Sequence, residues 1–293
     1  MKIAIYAQQF NESYRHILTD LFSYLHPDDA VYVEQRLLSS VKEKLKPARE
    51  LRSFATSADL DSTFDVMLTI GGDGTILRAA AYIHDSGIPI LGINAGRLGF
   101  LATVQKDQIG QAFGCLRSDN YKTVERVAIE AYTANDDLPI DIQHFALNEI
   151  TVTRKNTTSM ITITTALDGE FLTSYWADGL IVSTPTGSTG YSLSCGGPVI
   201  MPAAKNLVIT PIAPHNLNAR PLIIPDHTEI TLTVSSREKN YYVSLDSRLV
   251  SLPNKTAITI RKAAFVIRTI ELTGESFLHT LRNKLLWGED TRN

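Results

Sequence analysis

The chain has 293 residues, of which 44% are hydrophobic and 20% charged, and its formal net charge is −3. This hydrophobic content favours a folded core over disorder, and the length allows up to two domains. Its scattered lysines and arginines offer no basic face for nucleic acid, and two distant cysteines make neither a disulfide framework nor a four-ligand zinc site. No apolar run approaches the ~18 residues of a membrane span, and we therefore expect a cytoplasmic protein with no nucleic-acid or membrane partner.

The first third of the chain alternates short apolar runs with amphipathic stretches. An apolar face at helical spacing follows the first run, with Asn11 or Ser13 as a plausible cap. Residues 34–50 predict a solvated helix, and residues 75–86 predict a helix that stops at Gly87. This rhythm predicts a parallel sheet with helices on its faces. The predicted strands are 2–7, 30–33, 64–70 and 88–93.

Beyond about Tyr121 the pattern changes to strict alternation of apolar and polar residues. Asp168-Gly169 predicts a tight hairpin, because both residues tolerate positive φ. Many short alternating strands predict an antiparallel β-sandwich. Near the end the helical period returns and predicts a helix that packs back on the first domain. Its expected apolar face comprises Phe277, Leu278, Leu281, Leu285 and Leu286.

The expected fold is thus an α/β N-terminal domain with a parallel sheet, an all-β sandwich C-terminal domain and a returning terminal helix. We place the α/β domain at residues 1–125, the sandwich at 126–272 and the terminal segment at 273–293.

The segment from Gly71 to Thr75 has the sequence Gly-Gly-Asp-Gly-Thr and follows a predicted buried strand. Gly72 and Gly74 would let a phosphate approach the backbone at a helix N-terminus. Asp73 could accept a proton from an attacking hydroxyl or hold Mg²⁺, and both roles belong to phosphoryl transfer. A tight turn with Asp73 as helix cap is the structural alternative. Neither a P-loop motif nor a strand–Gly-x-Gly-x-x-Gly–helix motif occurs.

A second glycine-bearing loop, residues 94–101, follows the next predicted strand. Because two parallel strands then end in glycine loops at one sheet edge, their tips could form a single crevice. Phe100 could pack against an adenine or a nicotinamide, or it could fill the core.

The run from Thr184 to Ser194 combines hydroxyls, two glycines and a proline after the apolar segment 179–182. It is too polar for a core element and too rich in small residues for a surface helix. As a strand–loop–helix it would present backbone N–H groups to an anion or a sugar phosphate, although a structural turn is the alternative. Thr186 would supply a hydroxyl, and Tyr191 could stack on a base.

Three acidic positions in the second half have both a binding and a structural interpretation. Glu149, with the adjacent Asn148, could grip a ribose diol, and Asp178 could bind a base amino group or a ribose hydroxyl. Both segments are also typical of turns. Asp246 lies at a strand end, where an exposed hairpin would explain its charge equally well.

Together these segments resemble the NAD kinase family. The specific part is Thr184-Pro185-Thr186-Gly187-Ser188-Thr189-Gly190-Tyr191, whose distance from Asp73 fits that family. The resemblance implies transfer of the γ-phosphoryl group of ATP, with Mg²⁺ or another divalent cation, to the 2′-hydroxyl of the adenosine ribose of NAD. The product would be NADP.

Carried over by position, the resemblance implies that Asp73 is the proton acceptor, and no residue is assigned as a metal ligand. Asp246 is expected to reach a neighbouring subunit's site, which implies a homo-oligomer, a dimer or tetramer, with sites near its interfaces. The chain differs from relatives at two positions. It has Gly190 where many relatives carry alanine, and Trp176 where several carry a basic residue. The implied ligand contacts are Gly74, Arg78, Asn148, Glu149, Asp178, Thr189, Gly190, Tyr191, Ser192, Leu193, Ser194 and Asp246.

Two alternatives remain open from the sequence. A diacylglycerol-type lipid kinase shares the glycine–aspartate loop but would need an apolar acceptor groove. A non-catalytic NAD sensor would bind the dinucleotide, but Asp73 would then have no clear task.

Overall fold

A computed structural model describes residues 1–134, 138–139, 143–155 and 159–286. The chain forms two compact units, one of Met1–Glu125 with Ile267–Asn293 and the other of Arg126–Val266. The chain returns to the first unit at Ile267, earlier than the expected terminal segment begins. The division into folding domains at residues 125 and 272 stays a prediction.

The described residues contain seventeen strands and six α-helices. The strands are β1 (Lys2–Ala7), β2 (Ala30–Glu34), β3 (Arg52–Phe54), β4 (Val66–Gly71), β5 (Ile90–Asn94), β6 (Tyr121–Thr133), β7 (Phe145–Ala146), β8 (Glu149–Thr153), β9 (Ile161–Leu167), β10 (Glu170–Ala177), β11 (Gly179–Ser183), β12 (Asn206–Ile212), β13 (Leu222–Pro225), β14 (Ile230–Ser235), β15 (Asn240–Leu245), β16 (Arg248–Pro253) and β17 (Ala257–Leu272). The helices are α1 (Glu12–Ser23), α2 (Gln35–Leu45), α3 (Asp73–Ile83), α4 (Ile109–Arg117), α5 (Tyr191–Ser194) and α6 (Phe277–Leu285).

The first unit is built on a parallel sheet in the order β5-β4-β1-β2-β3, and the end of β17 pairs with β5 at Thr269 and Ile90. Alternate residues of a strand face opposite sides of the sheet. Ile5 joins the core formed with α1, α2 and α4, whereas the Tyr6 ring lies 5.2 Å from that of Tyr82 on α3. Helices therefore cover both faces, as the apolar strands predict.

Local signals fix most helix starts in this unit but not every helix end. Asn11 caps α1, because its side chain accepts the backbone N–H of Tyr14 at 2.9 Å. Helix α3 ends at Ile83 and not near Gly87, as expected, because His84 adopts a positive φ of 42° and breaks the helical path. Gly87, at φ 77°, lies in the following turn.

The second unit is a sandwich of antiparallel strands, which confirms the expected fold class. One sheet has the order β13-β12-β11-β8-β15-β16, and the strands β10-β9-β14-β17 form the opposing layer. Residues of both layers share one core, for example Val152 with Ile163 and Leu232. Asp168 and Gly169 form the predicted hairpin turn, with φ of 49° and 82°.

Helix α6 is the expected terminal helix and belongs to the first unit. The side chain of Ser276 caps it by accepting the N–H of His279 at 3.1 Å. Its apolar face is narrower than predicted: Leu281 is buried, but Leu278 is 50% exposed and Leu286, 60% exposed, lies just beyond the helix end. Among the described residues, no helix is long and apolar enough to cross a membrane.

Candidate functional site

Asp73 is the first residue of α3, and backbone groups hold its carboxylate. Its Oδ2 accepts the N–H of Phe100 at 2.8 Å, and its Oδ1 accepts those of Leu101 and Ala102 at 2.9 and 3.0 Å. The loop after β5 thus arranges three donors around one side chain. The carboxylate has a fixed position at the carboxyl edge of the sheet, where open α/β sheets bind ligands.

Gly99 makes this arrangement possible. A Cβ atom at position 99 would lie 1.9 Å from Oδ1 of Asp73, far inside van der Waals contact. Sequence reasoning did not find the donors at residues 100–102 or the role of Gly99, because backbone N–H groups have no residue-type signature. The glycine itself, in a loop after a parallel strand, is the signal for such a close approach.

Asn94 fixes the same loop from the end of β5. Its Nδ2 donates to the carbonyl groups of Arg97 and Ala102 at 2.7 and 3.1 Å, and its Oδ1 accepts the N–H of Gly96 at 2.7 Å. The buried Asn94 side chain therefore holds the loop in shape through both its donor and its acceptor atoms.

The other predicted site residues of the first unit lie close in sequence to Asp73 or in this loop. Gly72 and Gly74 are exposed on either side of Asp73. Arg78 lies on α3 near Tyr6, where burial raises the pKa of the Tyr6 phenol to about 12 and the arginine charge opposes the rise. Phe100 is 9% exposed, and its ring packs beside that of Phe277 with the ring centroids 6.0 Å apart. Its contact with a base stays a prediction.

The hydroxyl-rich run of the second unit is more buried than its composition suggested. Residues 183–188 are buried, which corrects the expectation that the run is too polar for a core element. Thr184 donates to the Leu147 carbonyl at 2.6 Å, and Ser188 donates to Pro185 O at 2.7 Å while accepting the Ile200 N–H at 3.0 Å. Because each hydroxyl satisfies nearby backbone groups, burial costs little.

The end of this run is more accessible and has a different role. Thr189, Gly190 and Leu193 are half-buried, and Ser194 and Tyr191 are exposed. Ser192 is fully buried, and its hydroxyl hydrogen-bonds that of Thr210 at 2.8 Å. The predicted helix after the loop is the single turn α5, of four residues.

Asn148 and Glu149 lie directly against this run. A Cβ at Gly187 would lie 2.1 Å from the Asn148 carbonyl oxygen, and one at Gly190 would lie 3.1 Å from Oε2 of Glu149. Oδ1 of Asn148 and Oε2 of Glu149 are buried without a hydrogen-bond partner. Two unpaired buried acceptors are costly unless a ligand supplies donors.

Asp246 organises this pair from the turn between β15 and β16, where it has a φ of 51°. Its carboxylate accepts the backbone N–H groups of Leu147, Asn148 and Glu149 at 3.0, 2.8 and 3.3 Å. The side chain is only 3% exposed, so the charge of this hairpin is not a surface feature. That Asp246 reaches a neighbouring subunit stays a prediction.

Burial and then the charge of Asp246 raise the pKa of Glu149 to about 7, although the N–H of Tyr191 acts to lower it. Burial likewise raises the pKa of Asp246, against the three N–H donors and the nearby Arg248. A perturbed carboxyl beside unpaired acceptors is typical of a binding or catalytic site.

Asp178 lies between β10 and β11 and is paired with Arg154 at 2.9 Å. Its charge contributes, after burial and the Cys195 thiol, to raising the pKa of Tyr191, which places Asp178 near that ring. Thr186 is buried, and its Oγ1 lies 3.4 Å from Nη1 of Arg126, a contact that sequence reasoning missed. The structure therefore places Asn148, Asp178, Gly190 and Asp246 close to Glu149 or Tyr191.

The comparisons with known proteins agree with this division of the chain. Residues 6–121 match a family model described as the ATP-NAD kinase N-terminal domain, and residues 147–272 match the ATP-NAD kinase C-terminal domain. The chain is thus a phosphotransferase of the two-domain type that these models describe.

Full-length relatives make the assignment more specific. NAD kinases of Flavobacterium johnsoniae and Bacteroides fragilis are 53% and 40% identical to the chain, and each match covers 100% of both sequences. This chain belongs to the NAD kinase family.

Two solved structures share the fold. Yeast NADH kinase in complex with NADH has a TM-score of 0.90 and 25% identity, and the match covers 100% of this chain and 89% of that one. An NAD kinase from Archaeoglobus fulgidus in complex with ATP has a TM-score of 0.70 and 23% identity, over 98% and 99% of the two chains.

Proposed function

We propose that the chain transfers the γ-phosphoryl group of ATP to the 2′-hydroxyl of the adenosine ribose of NAD and forms NADP. The observation that carries this proposal is the Asp73 carboxylate, held by three backbone donors at the start of α3. The names of the full-length relatives support the choice of NAD, and the ATP-NAD kinase models that match the chain support the choice of ATP.

Asp73 is the catalytic residue of this proposal. It orients the ribose hydroxyl and accepts its proton late in the reaction. A weak base is sufficient for this, because the transition state of phosphoryl transfer is loose. The fixed carboxylate suits this task because positioning supplies most of the rate enhancement in phosphoryl transfer. Gly72, Gly74 and Arg78 would face phosphate groups, where exposed backbone and a cation are favourable.

The second unit supplies dinucleotide recognition. The unpaired acceptors of Asn148 and Glu149 suit the donors of a ribose diol or a carboxamide. The exposed Tyr191 ring offers a stacking surface for a base. The remaining proposed contacts in this unit are Asp178, Thr186, Thr189, Gly190, Ser192, Leu193, Ser194 and Asp246.

Mg²⁺ fits the proposal as an ion that binds together with the substrate phosphates. The described residues contain no cluster of three or more potential metal-ligating side chains, and Mg²⁺ in kinases often relies on one or two carboxylates together with phosphate oxygens. Asp73 would be the carboxylate available to it. When bound, the ion would neutralise charge on the transferring phosphoryl group.

A cytoplasmic location and a homo-oligomeric state complete the proposal. Both cysteines are free, as expected in a reducing compartment. In the second unit, Phe171, Trp176 and Leu217 expose apolar surface of a kind that subunit contacts bury.

The test is an acceptor assay with the purified chain, ATP and Mg²⁺. Formation of NADP from NAD, with no phosphorylation of diacylglycerol, is the expected result. Phosphorylation of the lipid instead would replace this function with the lipid-kinase alternative. Saturable NAD binding without NADP formation would favour the sensor.

A further inference from the structure

Helix α6 contacts the loop that positions Asp73. The Phe277 ring lies 6.0 Å from the Phe100 ring at a tilt of 37°. Nζ of Lys284 donates to the Leu98 carbonyl at 2.8 Å and lies 5.2 Å from the centroid of the Phe100 ring. The helix therefore touches the loop at two points, one apolar and one charged.

One of the two contacted residues, Phe100, also orients the carboxylate. Phe100 itself donates to Oδ2 of Asp73, and its two successors donate to Oδ1. Asn94 fixes the same loop through Arg97 and Ala102, and within the loop the Gly99 N–H donates to the Ala102 carbonyl at 3.4 Å. Phe277 and Lys284 add contacts to Phe100 and Leu98 from outside the loop.

We propose that α6 is a positioning element for the phosphoryl-transfer step, in which Phe277 and Lys284 hold the loop whose N–H groups fix the Asp73 carboxylate. The inference rests on the proposed role of Asp73. Neither side chain needs to touch a substrate. Each acts through the loop, so its loss should change the catalytic step more than substrate binding.

The experiment compares Phe277→Ala and Lys284→Met with matched controls on the same helix, Leu278→Ala and Arg282→Met. Leu278 is 50% exposed, and Arg282 is also exposed. We expect kcat to fall about 10- to 100-fold in Phe277→Ala, by the logic that displacing a catalytic group by 1 Å costs up to about 10²-fold. KM for NAD should change less than about twofold, and both controls should resemble the unmodified chain.

A second arm tests whether the effect passes through Asp73. In the Asp73→Asn background, Phe277→Ala should cause little further loss of kcat, because residues that act as a unit are not additive. An equal loss in both backgrounds would contradict the proposal, as would a loss of equal size in the controls. The conservative variant Phe277→Tyr keeps the ring and should restore most of the turnover.

Amide hydrogen exchange measures the loop without any substrate. Phe277→Ala should accelerate exchange at Phe100, Leu101 and Ala102, whereas Leu278→Ala should not. Unchanged protection at these amides would overturn the positioning role even if turnover fell. If the unmodified chain forms no NADP, the proposed function fails, and the exchange data still decide whether α6 holds the loop.

Discussion

The surroundings of Glu149 strongly alter its acidity. Burial and the charge of Asp246 raise its pKa from the ordinary 4.5 to about 7. A carboxyl group with a raised pKa binds its proton more tightly when the chain is folded. Stability is therefore highest below pH 4.5, the pKa of the group in the unfolded chain. It falls as pH rises from 4.5 to about 7, the pKa in the folded chain.

Glu149→Gln should accordingly stabilise the chain at pH 8 and have little effect at pH 5. The gain at pH 8 should be on the order of 3 kcal/mol, because the pKa rises from 4.5 to about 7 and one pKa unit corresponds to about 1.4 kcal/mol. Denaturant unfolding at the two pH values measures it, with the exposed Glu170→Gln as control. The same stability difference at both pH values would contradict a raised pKa.

Gly99→Ala tests the close approach at Asp73. The new methyl group would displace either the carboxylate or the loop, because there is no space for it beside Oδ1. We expect kcat to fall by about 10²-fold, the cost of a displacement near 1 Å. Gly96→Ala in the same loop is the control, since a Cβ there meets nothing within 4 Å. Equal activity of the two variants would show that the carboxylate tolerates displacement.

At the scale of single residues, the sequence identified candidate site residues but not their hydrogen-bond partners. Asp73, Asn148, Glu149 and Asp178 were predictable as candidate site residues, because carboxylates and amides beside glycines suit phosphates and sugars. Their neighbours were not predictable, since the groups that hold Asp73 are backbone N–H groups almost thirty residues away. Asp246 shows the same limit, because its donors lie on a loop about one hundred residues earlier.

At the scale of elements, the run from Thr184 to Ser194 shows how composition can mislead. Small hydroxyl residues look too polar for the interior. Their hydroxyls can donate and accept at once, however, so a tightly wound segment satisfies its own backbone and its neighbours. The buried part thus supports the segment, and the accessible end around Tyr191 remains for the proposed dinucleotide ligand.

Ser188→Ala should therefore destabilise the fold although it changes a single hydroxyl. It removes the hydroxyl that accepts the Ile200 N–H at 3.0 Å and donates to the Pro185 carbonyl at 2.7 Å. The Pro185 carbonyl keeps only the longer bond from the Ser188 N–H, at 3.3 Å. The expected loss of unfolding free energy is about 1–3 kcal/mol. The exposed Ser194→Ala should stay within about 0.5 kcal/mol of the unmodified chain. Equal unfolding midpoints for the two variants would refute this assignment of the buried run.

Helix and strand ends were harder to predict than the elements themselves. Helix α3 stops at His84, whose positive φ has no signature in the sequence, and not at the expected glycine. The return of the chain to the first unit at Ile267 falls inside β17, a strand that runs unbroken from Ala257 to Leu272. The periodicity of the sequence cannot reveal this unit boundary, because the strand pattern continues unchanged across Ile267.

At the scale of the whole molecule, the two units have separate tasks in the proposed reaction. The first carries the Asp73 carboxylate, and the second carries the unpaired acceptors and the exposed ring that suit a dinucleotide. The fold class was predictable, because periods of 3.6 and 2 divide the sequence into an α/β part and an all-β part. The separation of tasks predicts that chemistry and binding can be lost independently.

The most direct measurement is steady-state turnover of Asp73→Asn together with its thermal stabilisation by NAD. We predict that kcat falls by roughly two to four orders of magnitude, the range for a positioned general base. The NAD-induced rise in Tm should persist, because the second unit still binds the dinucleotide. Asp107→Asn, an exposed aspartate of the first unit, should leave both quantities unchanged. Unchanged turnover in Asp73→Asn would contradict the central claim that this carboxylate is the catalytic group.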